Sequence, residues 1–222
     1  MDRYIIIILY VLICILVWHT YFIEHATFKI DGDEIYELAV TNMINSENSR
    51  FNYKTKECSH WYSREIVNEI LDMDDNKEVL ILGVALGGQI IHLLNKDSEM
   101  NVTGVDISDD NFNLVEKYSD INRLTLIKED AYNYILKSKT KYNAIVCDIF
   151  IGMNVADFAI NEDFLKKINE LLLPGGKLLL NTTTDTDKEL VMSRLKNSFN
   201  NIDINILNNP RYVNNLYFVT KK

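Results

Sequence analysis

The chain has 222 residues, and 23 Lys+Arg against 32 Asp+Glu leave a formal charge of −9. That length suits one ordinary domain with at most a small appendage, and the acidic balance argues against a phosphate-binding face, so no nucleic-acid partner is expected. Cys14, Cys58 and Cys147 lie far apart, no His/Cys cluster has zinc-like spacing, and glycine (8) and proline (2) are scarce, which excludes disulfide-stapled, zinc-built and collagen-like classes.

Tyr4 to Ile23 is an unbroken run without a formally charged side chain, YIIIILYVLICILVWHTYFI. As a helix rising about 1.5 Å per residue, it matches the roughly 30 Å hydrocarbon core of a bilayer. Trp18, Tyr21 and Phe22 near its far end suit a membrane interface. The expectation is a single-pass anchor at 4–23, with the membrane as a partner. A cleaved secretory signal is the alternative, although no small-x-small site follows the run. Arg3 before the span and Lys29 after it balance, so the positive-inside rule does not orient the chain. The sequons Asn101-Val-Thr103 and Asn181-Thr-Thr183 lie beside or within expected strands and do not settle the side either.

Ala26–Thr55 holds the patches TFKI, ELAVTNM and RFNYKT, with Asp31-Gly32 and Asn45-Ser-Glu-Asn48 as turn signals. This segment reads as a small β-hairpin cap, with a linker as the alternative, so residues 24–60 are set apart from a body at 61–222. A helix after His60, Trp61 and Tyr62 feeds the first strand of that body.

From Lys77 onward, strands alternate with helices. The expected strands are Glu78–Leu82, Val102–Val105, Leu124–Ile127, Ala144–Cys147 and Lys177–Leu180. The expected helices are Gly88–Asn95, Asn111–Tyr118, Ala131–Leu136, Glu162–Leu173 and Thr186–Phe199. Apolar strands separated by helices predict a parallel sheet buried on both faces. Ile202–Leu207 and Leu216–Thr220, joined through Asn208-Asn-Pro-Arg211, predict an antiparallel hairpin at the sheet edge. The fold class is therefore α/β, a Rossmann-like, mostly parallel sheet of seven strands ending in that hairpin.

The densest chemical signal is Gly83-Val-Ala-Leu-Gly87-Gly88, directly after the first strand. A glycine-lined strand-to-helix turn lets backbone N–H groups approach a nucleotide or nucleoside. The spacing matches neither G-x-G-x-x-G nor a Walker loop, and a tight turn needed only for packing is the plainer reading. Asp106 ends the second strand 23 residues after Gly83, placed to accept hydrogen bonds from ribose hydroxyls. Asp130-Ala131 follows the third strand, where a base would lie, and Asp130 is equally suited to cap a helix. Asp148 ends the fourth strand, where a carboxylate can orient or deprotonate an amine or hydroxyl. His92 and Cys147 read as structural, and no G-x-S-x-G or H-E-x-x-H is present.

Taken in order, VLILGVALGG, VTGVDIS, LTLIKEDA, YNAIVCDIF and FLKKINELLLPGGKLLLN resemble a class I S-adenosylmethionine-dependent methyltransferase, and within that superfamily the spermidine synthase branch. The resemblance covers roughly Tyr62 to Asn181. It implies that Gly83, Gly87 and Gly88 cradle the methionine part of S-adenosylmethionine, that Asp106 binds its ribose, and that Asp130 and Ala131 read its adenine. It also matches Pro174-Gly175-Gly176 to the bend before the fifth strand. The departures bear on the reaction. Aminopropyltransferases carry G-G-G-D-G-G, where this chain has Val84, Ala85 and Leu86, and the lost acid faces the ligand's amino-acid portion. Of their D-S-S-D-P carboxylate pair only Asp148 remains, and of the upstream Tyr-His/Gln-Glu motif only Tyr62, the expected substrate-binding residue. The reading is a methyltransferase-like protein with an acceptor, small molecule or protein, that the sequence does not name. Aminopropyl transfer and a non-catalytic membrane-bound scaffold are its rivals, and a homodimer is left open.

Overall fold

A computed structural model describes residues 27–31, 34–41, 44–75, 77–152 and 154–222. Residues 4–23, read above as a membrane span, lie outside the described residues. Among the described residues no helix is long and apolar enough to cross a membrane.

The N-terminal part is an antiparallel sheet of four strands in sequence order, β1 (Thr27–Asp31), β2 (Glu34–Thr41), β3 (Ile44–Asn52) and β4 (Glu57–Cys58). In place of the expected small hairpin or linker, the described residues thus form a sheet with more strands than a single hairpin. The turn signal at Asn45–Asn48 is corrected: those residues run inside β3. The ladder goes from Glu37 opposite Ser49 to Leu38 opposite Glu47, so Asn48 is the extra residue of a β-bulge, a place a turn-forming residue tolerates. The β3–β4 turn is held by the Asn52 side chain, which accepts from the backbone N–H groups of Lys54 and Thr55.

The body alternates as its sequence predicts. Helix α1 (Trp61–Leu71) leads to β5 (Glu78–Leu82), followed by α2 (Gly88–Lys96), β6 (Asn101–Asp106), α3 (Phe112–Tyr118), β7 (Leu124–Lys128), α4 (Ala131–Lys137) and β8 (Tyr142–Cys147). A small hairpin of β9 (Phe150–Ile151) and β10 (Asn154–Val155) comes next. Then come α5 (Glu162–Leu171), β11 (Leu172–Thr183), α6 (Lys188–Ser198), β12 (Ile202–Asn208) and β13 (Asn214–Lys221). Trp61 and Tyr62 sit in the first turn of α1 rather than before it. The helix expected to reach Leu173 ends at Leu171, because β11 begins early. Its ladder to β8 shifts register between Leu172 and Lys177, so Pro174-Gly175-Gly176 forms an irregularity within the strand. The helix expected from Thr186 starts at Lys188, where the Asp187 carboxylate caps it by accepting from the N–H groups of Glu189 and Leu190.

The body sheet has the order β12-β13-β11-β8-β5-β6-β7. The five strands from β11 to β7 are parallel, and β13 enters antiparallel between β11 and β12, the expected edge hairpin. Residues along each central strand alternate between two cores. Val79, Ile81, Val146 and Leu179 face the core that holds α1, α2 and α3 together with Ile35, Phe51 and Cys58 of the cap. Leu80, Leu82, Ile145 and Leu180 face the core of α4, α5 and α6. This is the burial on both faces that near-continuous apolar strands require. Chain order reverses between β5 and β8. In open α/β sheets such a switch point leaves a crevice at the carboxyl ends of the strands.

Candidate functional site

Gly83, Asp106, Asp130 and Asp148 all follow the carboxyl ends of neighbouring parallel strands, so the topology brings the sequence-predicted acids to one edge. Gly83 lies between the other strands' ends. Its N–H donates to Val105 O (2.9 Å), and on the other side Asp148 N–H donates to Leu82 O (2.9 Å).

The glycines owe their places to close packing. Gly83 has φ +90°, and a Cβ there would stand 2.1 Å from the Asp148 carbonyl oxygen. Gly87 (φ +72°) precedes α2, and a Cβ would meet Val115 Cγ2 at 2.3 Å. At Gly88 a Cβ would be 3.3 Å from Phe51 Cβ, so the missing side chain seats the cap against the start of α2. Ala85 holds φ +47°, a left-handed conformation where the resembling loops have glycine. Leu86, at the position of the lost acid, is 0% exposed and belongs to the core beside α2.

Asp106 holds the loop together. Its Oδ2 accepts from the N–H groups of Val84 (2.7 Å) and Ala85 (3.2 Å), and its Oδ1 accepts from Ser108 N–H (3.0 Å). A carboxylate offers about four lone-pair sites, so one on Oδ1 stays open to a ribose hydroxyl. Ile107, beside it, is 71% exposed and offers an apolar face to a flat ring. Sequence reasoning did not single it out, although an isoleucine after a strand-ending acid is a readable signal. Asp130 caps α4, its Oδ1 accepting from Asn133 N–H (3.0 Å), and Ala131 is buried behind it.

Asp148 is part-buried at the switch point and gripped by two neutral amides. Gln89 Nε2 donates to its Oδ2 (2.9 Å) and Asn181 Nδ2 to its Oδ1 (2.8 Å), while Asn181 Oδ1 accepts from Asn214 Nδ2 (3.1 Å). Burial pushes the carboxyl up to about 6, against the opposing pull of the Asn181 and Gln89 bonds. Asn181 is 1% exposed, which turns its sequon into an interior polar link rather than a surface acceptor. Sequence reasoning missed Gln89 and Asn181 as partners of Asp148.

Tyr62 is partly buried against the first core and stacks on His60, with ring centroids 5.6 Å apart. Trp61 stacks on Tyr212 in the β12–β13 connection (5.6 Å). His92 and Cys58 pair in the interior, Nδ1 to Sγ 3.2 Å, joining α2 to the cap. Burial pushes the Cys58 thiol up to about 12 and lowers His92, so neither is a charged nucleophile–base partner. Cys147 is fully buried and its thiol is likewise raised by burial. Among the described residues no group of three or more His, Cys, Asp or Glu could hold a metal ion.

Known proteins match both halves of the resemblance. No protein-family model matches the chain. A polyamine aminopropyltransferase of Sulfolobus acidocaldarius is 26% identical over 166 residues, 68% of this chain and 55% of that protein. A second, polyamine aminopropyltransferase 2 of Hyperthermus butylicus, is 25% identical over 63% of this chain and 49% of its own length. The chain thus spans about half the length of these curated relatives. Among solved structures, a probable spermidine synthase from Corynebacterium glutamicum aligns with TM-score 0.66 at 16% identity, over 89% of this chain and 80% of that one. Human methyltransferase-like protein 13, solved in complex with SAH, aligns with TM-score 0.61 at 17% identity, over 74% and 83%. The fold is that of the class I S-adenosylmethionine-dependent methyltransferases. The likeness to their spermidine synthase branch, read from the sequence, holds.

Proposed function

We propose that the chain is a group transferase that binds S-adenosylmethionine along the carboxyl edge of β5, β6 and β7 and methylates a nucleophile beside Asp148. The observation that carries this reading is Asp106, which shapes the loop after β5 through three backbone N–H groups and keeps one lone pair for a ribose. Asp130 and the exposed Ile107 flank the place of the base, and the backbone of residues 83–88 lies along the methionine part. When bound, the ligand supplies a methyl group on a positively charged sulfur. Among the described residues at this edge, Asp148 is the group suited to take the acceptor's proton. With its carboxyl at about 6 it is ionised at pH 7 yet holds a proton far better than an ordinary aspartate. Tyr62, at the start of α1, is the proposed wall of the acceptor pocket.

Aminopropyl transfer is the second reading, favoured by the curated relatives. A diamine needs more than one negative partner, and Leu86 together with the single Asp148 leaves the site short of them. We further propose that residues 4–23 tether the protein to a membrane, that residues 24–60 form its cap, and that 61–222 form the transferase body. Support for the tether is the length and apolarity of the sequence run. Deleting 4–23 should move the protein from the membrane fraction to the soluble one.

Calorimetry on the full chain in mild detergent tests the main reading, with S-adenosylmethionine and its decarboxylated form as ligands. Preference for the carboxylated ligand, lost in Asp106→Ala, supports methyl transfer, and the opposite preference returns the protein to the polyamine branch. Binding of neither ligand removes the enzyme reading.

A further inference from the structure

Gln89 is the second residue of α2, 8% exposed, and its Nε2 is committed to Asp148. The other corner of the same amide, Oε1, is buried with no hydrogen-bond partner. Buried carbonyl oxygens in folded proteins are nearly always paired, so an orphan on the amide that grips Asp148 calls for a donor. The donor's character follows from the neighbours. The Asp148 oxygens already accept from Gln89 and Asn181, each retains further lone-pair capacity, and both partners are uncharged. The start of α2 contributes about half a positive charge, and the ionised carboxylate a full negative one, so the field beside the amide is net attractive to a cation. A group with several N–H donors and a positive charge satisfies both acceptors at once. Leu86, where the resembling loops carry an acid, is packed into the core, so that recognition element is gone from the loop.

We propose that Gln89 is a recognition residue for a primary ammonium group, its Oε1 and the Asp148 carboxylate each accepting one of that group's N–H donors. The ammonium belongs either to the amino-acid end of the nucleoside donor or to an amine acceptor, and the first source rests on the nucleoside-binding reading above. Gln89 thereby takes over, three residues along, the part played by an acid at position 86 in the resembling loops.

The test is calorimetry on the full chain with three probes. These are 5′-methylthioadenosine, which has no aliphatic amine, decarboxylated S-adenosylmethionine, which has one, and 1,4-diaminobutane, an aliphatic diamine without a nucleoside. Gln89→Met keeps the side chain's approximate length and bulk but removes both the acceptor and the donor to Asp148. It should weaken an amine-bearing probe about ten- to hundred-fold and leave methylthioadenosine within about two-fold. A loss confined to the decarboxylated nucleoside assigns the ammonium to the donor, and a loss on the diamine assigns it to the acceptor. Gln89→Glu exchanges the amide's donor for a carboxyl that shares a proton with Asp148 and keeps acceptor capacity, so amine probes should bind it more tightly than they bind Gln89→Met. Equal loss on all three probes, or no loss on any, overturns the proposal, as does amine binding to Gln89→Glu no tighter than to Gln89→Met. Wild-type protein that ignores methylthioadenosine but binds the diamine in a Gln89-dependent way sinks the nucleoside reading alone.

Discussion

Asp148 imposes a measurable pH dependence on stability. Its carboxyl, ordinarily near 3.8, sits at about 6 in the fold because burial outweighs the two amide bonds. The folded protein therefore holds this proton more tightly than the unfolded chain does. The stabilisation is complete below about pH 4 and is lost as pH rises through 6. At about 1.4 kcal/mol per unit, a displacement of roughly two units makes the native state up to ~3 kcal/mol less stable at pH 7, so far as this group alone is concerned. Asp148→Asn removes the titration while keeping the shape, and a turn of the Gln89 amide lets its Oε1 accept from the new N–H. Urea melts of wild type and variant from pH 4 to pH 8 isolate the effect, because other acids cancel in the difference. The variant should match the wild type near pH 4 and exceed it by about 2–3 kcal/mol at pH 7, a midpoint shift of about 1 M urea for a typical slope. A difference that does not change with pH would refute the reasoning, because it would mean that the raised carboxyl does not exist.

Ala85→Gly should raise stability by about 0.5–1 kcal/mol, since it relieves a left-handed alanine at the cost of some unfolded-state freedom. Thermal melting checks it, and a loss of stability would contradict the φ of +47°. Leu86→Asp should destabilise the fold by about 3 kcal/mol or more rather than restore a polyamine site, because the side chain is enclosed in the core. Unchanged melting would show that residue 86 reaches solvent. Gly87→Ala meets both a left-handed backbone and Val115 at 2.3 Å, and should cost about 2–4 kcal/mol, partly recovered by Val115→Ala in a double-mutant cycle.

Much of the fold was legible because the central strands are too apolar to belong anywhere but a sheet buried on both sides. Glu78–Leu82 and Ala144–Cys147 announce themselves, and Asp106 announces itself by its distance from Gly83. What escaped was short or non-local. The β9–β10 hairpin has two residues per strand, too few to show a period. Asn45–Asn48 spells a turn, yet the pairing of β2 with β3 absorbs it as a bulge. The grip on Asp148 comes from residues 59 positions before it and 33 after it, and no spacing rule links them. One trace was readable: Gln89 interrupts an otherwise apolar helix start, GGQII, at a position the fold buries. The positive φ of Ala85 had no signal of its own, since alanine gives no warning of a left-handed turn.

Asp106 carries a consequence for how any ligand would be received. Both of its oxygens already fasten the turn at Val84, Ala85 and Ser108, so the loop is ordered before anything arrives. An incoming nucleoside would find its cradle set and would sacrifice little of its binding free energy to freeze it, a form of preorganisation. The same economy makes the residue a single point of failure. Removing it deletes a contact and loosens the cradle together, so the measured loss in affinity would exceed what one ribose hydrogen bond contributes.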